Sequence, residues 1–209
     1  MAINPNPSLL NKNTCFISMS GFGKSQALKN VVPANGVRHV LWDIDNDHRA
    51  NHYSDRGEFI AALIAACKSK KPFRVAWSGI VDAGTFEWWC QAVWHILDGK
   101  KTTYITVEEL ADVSETSGKA SHWWGQLNRK CRKYGGILHW TTQRSQEVSK
   151  TAYTQAAIKY IGYPNDGANL KALSEMVKVP VPELMQLKPL EFYKREHINT
   201  EKVKFRYKK

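Results

Sequence analysis

The segment from Ser18 to Ser25, Ser-Met-Ser-Gly-Phe-Gly-Lys-Ser, constrains the fold more than any other stretch of this chain. Residues 14–17 before it are apolar or tolerate an extended backbone, which predicts a short buried strand. Residues 26–32 after it predict a helix that ends before Pro33. A strand, a loop of small residues ending in Lys-Ser and a helix form the context of a phosphate-binding loop, in which backbone N–H groups and the helix N-terminus surround a phosphate.

This loop supplies candidate binding residues. We expect Lys24 to reach the β- and γ-phosphates of a nucleotide and Ser25 to bind Mg²⁺ through its hydroxyl group. Ser18 stands where the Walker A pattern has its first glycine, so a Gly-rich turn that only begins a helix is the alternative. The predicted nucleotide-binding residues are Ser20, Gly21, Phe22, Gly23, Lys24, Ser25 and Gln26.

Length and composition limit the class of protein. A chain of 209 residues with 43% hydrophobic residues fits one α/β domain and argues against wholesale disorder. The net charge of +11, from 30 Lys and Arg against 19 Asp and Glu, favours a polyanionic partner. Nucleic acid and an anionic membrane surface both fit that charge, and a basic surface that only aids solubility is the alternative.

The cysteines and the apolar runs indicate a reducing compartment and no membrane span. The four cysteines form no CxxC pair, and three lie in apolar stretches, which predicts buried free thiols. Residues 1–13 lack the basic start and apolar run of a signal peptide. The longest apolar run, 59–67, is far shorter than the ~20 residues of a membrane helix. We therefore expect a soluble or peripheral protein.

An acidic segment follows the second predicted strand, residues 37–42. The segment, 43–47, reads Asp-Ile-Asp-Asn-Asp, but His48 and Ser54 occupy the positions where a calcium loop needs Gly and Glu. A calcium loop is therefore rejected. The segment is either a solvated acidic turn or part of a ligand site at the carboxyl end of the strand, where α/β proteins bind ligands.

A second pair of acidic residues follows the fourth predicted strand. The intervening segments predict a helix over 57–69, a strand over 73–77 and a helix over 86–97 that Thr85 caps. The strand at 102–107 is followed at once by Glu108 and Glu109. A phosphoryl-transfer site needs a carboxylate near Mg²⁺ and a group that activates water. By position, Glu108 is the metal-side carboxylate and Glu109 the base, and a charged strand end facing solvent is the alternative.

The next helix, over 121–134, carries a cluster of cations, and the fifth strand, over 136–140, ends in polar residues. Gln143 at that strand end is positioned to sense a γ-phosphate. The cations either contact DNA phosphates, supply an arginine finger or complement the helix C-terminus. They are Arg129, Lys130, Arg132 and Lys133.

The C-terminal third predicts a strand over 157–161, a turn over 163–167, a helix over 170–178 and a last strand over 190–195. We divide the chain into an irregular lead-in (1–13), one domain (14–200) and a basic tail (201–209). The tail alternates cations with Val203, Phe205 and Tyr207. It either binds a polyanion or is a frayed, solvated end.

The order of these motifs resembles the FtsK/HerA superfamily of DNA-pumping ATPases. The resemblance rests on the phosphate loop, the strand ending Trp-Asp-Ile-Asp, the strand ending Glu-Glu and the strand ending Thr-Thr-Gln-Arg with Val148 just after it. The later strand with Asp166 and Leu170 resembles the closing segment of that superfamily. The chain is most similar to the genome-packaging ATPases of tailless, membrane-containing double-stranded DNA viruses.

The resemblance implies a RecA-like fold with a mainly parallel sheet, ATP and Mg²⁺ as cofactors and a homo-oligomeric ring, with a hexamer expected. It implies double-stranded DNA as the partner, together with capsid or membrane vertex proteins. It also implies a location in the host cytoplasm and at the packaging vertex of the virion. The resemblance carries Lys24 and Ser25 over as Walker A, Glu108 and Glu109 as Walker B, and Gln143 as the sensor. Glu108 stands where the superfamily has Asp.

No motif assigns the arginine finger, for which Arg144, Arg129 and Arg132 are the candidates. Three rival functions remain at this point. A Zot-type phage morphogenesis ATPase shares the fold class but usually carries a membrane helix. A non-hydrolysing nucleic-acid-binding structural protein would retain a degenerate phosphate loop, which the Ser18 change favours. A small-molecule kinase would need a lid of arginines.

Overall fold

The computed structural model describes residues 2–115, 117–165 and 169–208. Within these residues nine strands form one sheet, in the spatial order β3-β4-β2-β5-β6-β1-β7-β8-β9. The first seven strands pair in parallel, and β8 and β9 are antiparallel. The predicted α/β class with a mainly parallel sheet is therefore confirmed. The strands are β1 Thr14–Ile17, β2 Arg38–Trp42, β3 Asn51–Tyr53, β4 Phe73–Trp77, β5 Thr103–Val107, β6 Gly136–Thr142, β7 Ile158–Ile161, β8 Glu191–Glu196 and β9 Asn199–Lys204.

Helices cover both faces of this sheet. The N-cap of α3 is Asp82, whose carboxylate accepts from the N–H of Thr85 at 2.7 Å. The prediction that Thr85 caps this helix is wrong, because the Asp82 carboxylate is the acceptor that satisfies the free N–H groups of the first turn. The helices are α1 Lys24–Val31, α2 Arg56–Ser69, α3 Ala83–His95, α4 His122–Lys130, α5 Lys150–Gln155, α6 Leu170–Val177 and α7 Val181–Leu184.

The core has two parts because side chains alternate across the sheet. In β1, Cys15 and Ile17 face a large cluster that includes residues of α2 to α6, whereas Phe16 faces a smaller cluster that includes residues of α1. Trp89 of α3 is completely buried in the large cluster and packs edge-on against Trp42 at 5.8 Å. The prediction that the tryptophans of this helix are core residues is confirmed.

The strand register brings the functional segments together. Ile17 of β1 lies beside Thr142 of β6, and Val107 of β5 lies between Trp42 of β2 and Trp140 of β6. The carboxyl ends of these four parallel strands therefore meet at one edge of the sheet. The phosphate loop, the acidic segment, the Glu-Glu pair and the Gln143 segment all leave the sheet at that edge.

The C-terminal segment differs from the expected tail. Residues 199–204 form β9, which pairs with β8, so the expected boundary after residue 200 falls inside a strand. The ring of Phe205 packs against Tyr160 and Phe192, with centroids 5.4 and 5.6 Å apart. Up to Phe205 this segment is part of the domain, because it extends the sheet and closes the smaller cluster.

Two other predictions changed. The helix expected over 121–134 ends at Lys130 and continues as a 3₁₀ turn, Cys131–Tyr134. The short strand β3 was missed, since Asn-His-Tyr contains no apolar run. Asp166 and Gly167, which belong to the expected turn, lie outside the described residues. Cys15, Cys90 and Cys131 are buried free thiols, whereas Cys67, which ends the longest apolar run, is only partly buried. In the described part of the chain, no helix is long and apolar enough to cross a membrane.

Candidate nucleotide-binding site

The phosphate loop connects β1 to α1 with the backbone geometry that its glycines allow. Gly21 and Gly23 have φ angles of 76° and 94°, in the left-handed region where glycine is favoured. A Cβ atom on Gly23 would lie 2.5 Å from Cδ2 of Leu190, so a larger residue would also collide with the segment before β8. Gly23 directly precedes α1, and the loop therefore leads straight into the helix N-terminus.

Ser18, which departs from the Walker A pattern, is a buried residue that is hydrogen-bonded to a neighbouring segment. Its side chain is 1% exposed, and its hydroxyl donates to the carbonyl oxygen of Tyr163 at 3.1 Å. A Cβ atom on Gly162 would lie 2.7 Å from this hydroxyl oxygen, so the two backbones approach closely here. The serine hydroxyl thus binds the backbone just after β7. The phosphate loop that follows Ser18 still passes around the site.

The loop opens onto a cleft of about 430 Å³ at the carboxyl edge of the sheet. Of the predicted nucleotide-binding residues only Phe22 does not line it, because its ring stacks on Tyr163 at 4.7 Å. Acidic residues from two segments, one after β2 and one after β5, face the loop across the cleft. The lining consists of Ser20, Gly21, Gly23, Lys24, Ser25, Gln26, Asp43, Asp45, Asp47, Glu108, Glu109, Asp112, Thr141 and Gln143.

Lys24 lies in this cleft with both predicted Walker B residues. Its ammonium donates to the carbonyl oxygen of Met19 at 3.4 Å, on its own loop. Burial lowers the pKa of Lys24, and the negative charges of Glu109 and Glu108 oppose that shift. The side chain is thus a partly buried cation whose main electrostatic partners are the two carboxylates.

Glu108 is held at both carboxylate oxygens. The Nε2–H of His48 donates to Oε1 and the hydroxyl of Thr141 donates to Oε2, each at 2.6 Å. Burial raises the pKa of this carboxyl, but the hydrogen bonds and the histidine outweigh it, so the pKa lies below the usual value of 4.5. Glu108 is therefore an ionised carboxylate in a fixed orientation.

Glu109 has a different environment from its neighbour. Its Oε1 accepts from the hydroxyl of Thr142 at 2.9 Å and from the backbone N–H of Gln143 at 3.1 Å. Burial raises its pKa above 4.5, although these hydrogen bonds and Lys24 oppose the shift. Its φ angle is 43°, which is uncommon for a residue with a side chain. One carboxylate is held ionised and the other is held closer to neutrality, as acid–base chemistry requires.

The acidic segment after β2 is part of the site. Asp43 is fully buried, and its carboxylate accepts from the backbone N–H groups of Asp47 and His48 at 2.9 and 3.0 Å. His52 donates to the same carboxylate at 2.8 Å. This network folds the segment back, so that Asp47 accepts from the hydroxyl of Ser25 at 3.0 Å. The solvated-turn interpretation is therefore wrong for Asp43, whereas Asp47 is exposed and still contacts the phosphate loop.

Sequence reasoning missed Asp47 and His48 as site residues. The available signal was the run of aspartates at the carboxyl end of a strand, which left both interpretations open. The contact of His48 with Glu108 joins residues 60 positions apart, so no local pattern could reveal it.

The residues around Ser25 fit a magnesium ion. Mg²⁺ prefers hard oxygen ligands and is held at phosphate sites by one or two protein groups together with phosphates and water. The Ser25 hydroxyl and the Asp47 carboxylate are in contact here, and the Glu108 carboxylate lines the same cleft. Among the described residues no cluster of three or more His, Cys, Asp and Glu could hold a metal ion by itself.

The three candidate arginines lie in different places. Arg144 follows Gln143 and forms ion pairs with Glu147, at 2.9 Å, and with Asp112, which lines the cleft. Arg132 donates instead to backbone carbonyls of the N-terminal lead-in, at 3.0 and 2.5 Å. Arg129 is exposed on α4, close to the start of β6 and so near the opposite edge of the sheet. Only Arg144 is brought to the cleft of its own chain.

Solved structures with this fold include viral packaging enzymes. The genome packaging NTPase B204 of Sulfolobus turreted icosahedral virus 2, in complex with ATP-gammaS, matches with a TM-score of 0.76 and 16% identity, covering 94% of this chain and 98% of that one. VirB4 of Thermoanaerobacter pseudethanolicus matches with a TM-score of 0.66 and 12% identity, covering 95% and 90%. The chain shares its fold with these proteins, which confirms the predicted RecA-like fold with a mainly parallel sheet.

A relative in sequence identifies the family more narrowly. The chain is 33% identical over 181 residues to Protein P9 of Pseudoalteromonas phage PM2, covering 87% of this chain and 82% of that protein. It belongs to the family of that phage protein. No protein-family model matches the chain.

Proposed function

We propose that this protein hydrolyses ATP to move double-stranded DNA, and that it packages a viral genome into a procapsid. The observation that carries the proposal is the convergence of Lys24, Ser25, Glu108, Glu109 and Gln143 on one cleft, although three separate strand ends supply them. The similarity to packaging NTPases and membership of a phage protein family support the viral context.

In this proposal the phosphate loop binds and orients the triphosphate. Backbone N–H groups of the loop and the α1 N-terminus surround the phosphates, and Lys24 neutralises charge on the β- and γ-phosphates. A bound Mg²⁺ would supply positive charge that offsets the charge developing on the phosphates during transfer. Ser25 would hold the ion directly, and Asp47, which accepts from Ser25, and Glu108, which lines the same cleft, would support it.

Glu109 is the proposed base that accepts a proton from the attacking water. Its raised pKa makes it a better proton acceptor than an ordinary glutamate. Its carboxylate also accepts from the backbone N–H of Gln143, so the position of the base depends on the end of β6. A shift of Gln143 towards a γ-phosphate would therefore move the base at the same time, which links sensing to hydrolysis.

The surroundings of the motor follow from the same proposal. We infer a homo-oligomeric ring, most simply a hexamer, with DNA in its channel and capsid or membrane vertex proteins as further partners. The site of action would be the host cytoplasm during assembly and the packaging vertex of the virion. The net charge of +11 supports a DNA partner that is bound through its phosphates and without sequence preference.

ATP hydrolysis with and without double-stranded DNA, at several salt concentrations, tests this function. We expect DNA to stimulate hydrolysis, and the stimulation to fall as salt rises, because phosphate contacts release counterions. The variant Lys24→Ala should lose hydrolysis with and without DNA, and Lys12→Ala, an exposed lysine of the lead-in, should retain it.

Hydrolysis that persists in Lys24→Ala would refute the site. Hydrolysis that DNA never stimulates would instead refute the motor and favour a small-molecule kinase or another nucleotide-binding role.

A further inference from the structure

A second cavity lies between α1 and the segment that follows β2, and it shares Asp47 with the nucleotide cleft. It has a volume of about 240 Å³ and an apolar wall that includes Leu28 and Val32. A more open cavity of about 510 Å³ continues from it, and both cavities are lined by Arg49 and Arg74. Together they form a continuous groove that passes from α1 to the start of β4.

The charged lining of this groove is mostly cationic. We call it the basic groove, defined by Lys29, Arg49, Arg74 and Lys208. Asp47 is the acidic residue of its lining, and its carboxylate already accepts from Ser25. Within the described part of the chain none of the four cations forms an ion pair.

Several cations elsewhere on the molecule form ion pairs within the chain. Lys194 pairs with Glu196 at 3.0 Å, and Lys202 pairs with Glu191 at 3.0 Å. Arg38 pairs with Asp98 at 2.5 Å. The four cations of the basic groove converge without such partners, which is the arrangement expected of a surface that binds an external anion.

A buried polar group also faces the groove. His39 of β2 is fully buried, and its Nε2 contacts the hydroxyl of Thr106 at 2.8 Å. Its Nδ1 is buried without a hydrogen-bond partner, and the residue lines the groove. The two neighbouring guanidinium groups have donors to spare, since Arg74 donates to the carbonyl of Pro33 and retains four further N–H groups.

We propose that the basic groove binds the phosphate backbone of double-stranded DNA. The proposal rests on the proposed motor function for the identity of the polyanion, and it assigns the contact to a definite surface. All four cations line the narrower cavity, and Arg49 and Arg74 also line the more open cavity, so the positive charge extends along the groove. A positive surface longer than one cavity fits successive phosphates better than one small anion.

The groove is joined to the nucleotide cleft by three consecutive residues. Asp47 binds Ser25, His48 binds Glu108 and Arg49 lines the groove. A phosphate that moves Arg49 would therefore act on the segment that contacts the Walker A serine and the Walker B carboxylate. This connection gives a direct route by which DNA could stimulate hydrolysis.

DNA binding without nucleotide tests the groove separately from ATP hydrolysis. The probe is a fluorescent 30-base-pair duplex of random sequence, titrated with the full chain at several salt concentrations. For Arg49→Gln/Arg74→Gln we expect weaker binding and a salt-dependence slope shallower by about 2, since each phosphate contact contributes about 0.9. Lys68→Gln/Lys100→Gln removes the same charge from exposed positions elsewhere and should keep the wild-type slope.

The other outcomes are also decisive. An equal loss in both double variants would mean that only net charge matters and would overturn the proposal. A loss in Arg129→Gln/Lys130→Gln, with Arg49→Gln/Arg74→Gln unchanged, would place DNA on α4 instead. Inorganic phosphate that displaces the duplex at equal phosphate concentration would indicate a small-anion site and refute the groove as a DNA surface. A wild-type chain without affinity for DNA would refute the motor function itself.

Discussion

At the residue scale, the main feature of the site is that the adjacent residues Glu108 and Glu109 have opposite environments. Glu108 receives hydrogen bonds from two side chains that keep its carboxyl ionised, while burial raises the pKa of Glu109. The Thr141 hydroxyl connects them, because it donates to Glu108 and accepts from the backbone N–H of Glu109 at 3.0 Å. The chain thus separates a fixed charge from a proton acceptor within two consecutive residues.

The variant Glu109→Gln should lower the rate of ATP hydrolysis by roughly 10²–10⁴-fold, the usual contribution of a general base. The amide has the size of the carboxyl, and its oxygen retains the hydrogen bonds from Thr142 and Gln143, so nucleotide binding should persist. Steady-state hydrolysis and binding of a fluorescent ATP analogue measure the two properties. Asp45→Asn removes a charge from the same cleft and should have a much smaller effect; equal losses would contradict the assignment.

The pH dependence of hydrolysis is a second test of the proposed role of Glu109 as the base. A base acts only when it is deprotonated, so the rate should rise with pH through the raised pKa of this carboxyl. The acid limb should therefore lie at higher pH than an ordinary glutamate at 4.5 would give, and it should vanish in Glu109→Gln. Circular dichroism at each pH separates this effect from acid unfolding.

Secondary-structure elements were predictable where a local apolar pattern defines them. The strand over 73–77 matches β4, and the helix expected over 57–69 begins one residue earlier, at Arg56. β3 and β9 escaped prediction because each is formed by polar or alternating residues that gain order from the neighbouring strand. Such pairing is a tertiary interaction, and the sequence of the segment alone does not contain it.

Like the secondary-structure elements, the functional site was predictable only where a local sequence pattern defines it. Lys24 and the Glu-Glu pair follow strands with recognisable patterns, so their common edge could be inferred from the parallel order. The contacts of Asp47 and His48 could not be inferred. They depend on the hydrogen bonds by which the buried Asp43 carboxylate folds the following segment back towards the phosphate loop. The side-chain environment that sets the pKa of Glu108 therefore appears only in three dimensions.

The Phe205 ring tests whether the C-terminal segment is a structural element. Phe205→Ala should lower the free energy of unfolding by roughly 1–2 kcal/mol, because it removes a partly buried ring from Tyr160 and Phe192. Urea denaturation measures the change. Ile198 lies in the turn between β8 and β9 and is 86% exposed, so Ile198→Ala should have almost no effect on the free energy of unfolding. A Phe205→Ala protein as stable as wild type would show that the segment is a solvated tail after all.

At the scale of the whole molecule, the nucleotide cleft and the basic groove lie on either side of one short segment, residues 47–49. The β8–β9 hairpin and residues 205–208 close the fold next to α1, where the backbone N–H of Lys208 donates to Gln26 at 2.7 Å. Nucleotide, proposed DNA surface and C-terminus therefore all meet around the first helix. A subunit arranged in this way could transmit a change at any of the three to the other two.

Mixing two inactive variants tests how subunits share the site in the proposed ring. Arg144 pairs with Asp112 at the cleft of its own chain, so we expect it to serve that cleft and not a neighbour's. Arg144→Ala and Lys24→Ala proteins should each lose most ATP hydrolysis and should stay inactive when mixed. Activity that returns on mixing would show that Arg144 reaches the nucleotide of an adjacent subunit. Analytical ultracentrifugation, with and without ATP, confirms that the mixed subunits assemble.

The left-handed backbone at Glu109 has a consequence for how this family diverges. A φ angle of 43° suits Gly, Asn or Asp better than Glu, so with Glu109 as the proposed base, selection for hydrolysis would hold a conformationally unfavourable residue in place. A gene copy released from that selection would gain stability by changing this codon before most others. Homologues with Gly or Asn here would therefore be recognisable, from their sequences alone, as descendants that have given up turnover and kept the scaffold.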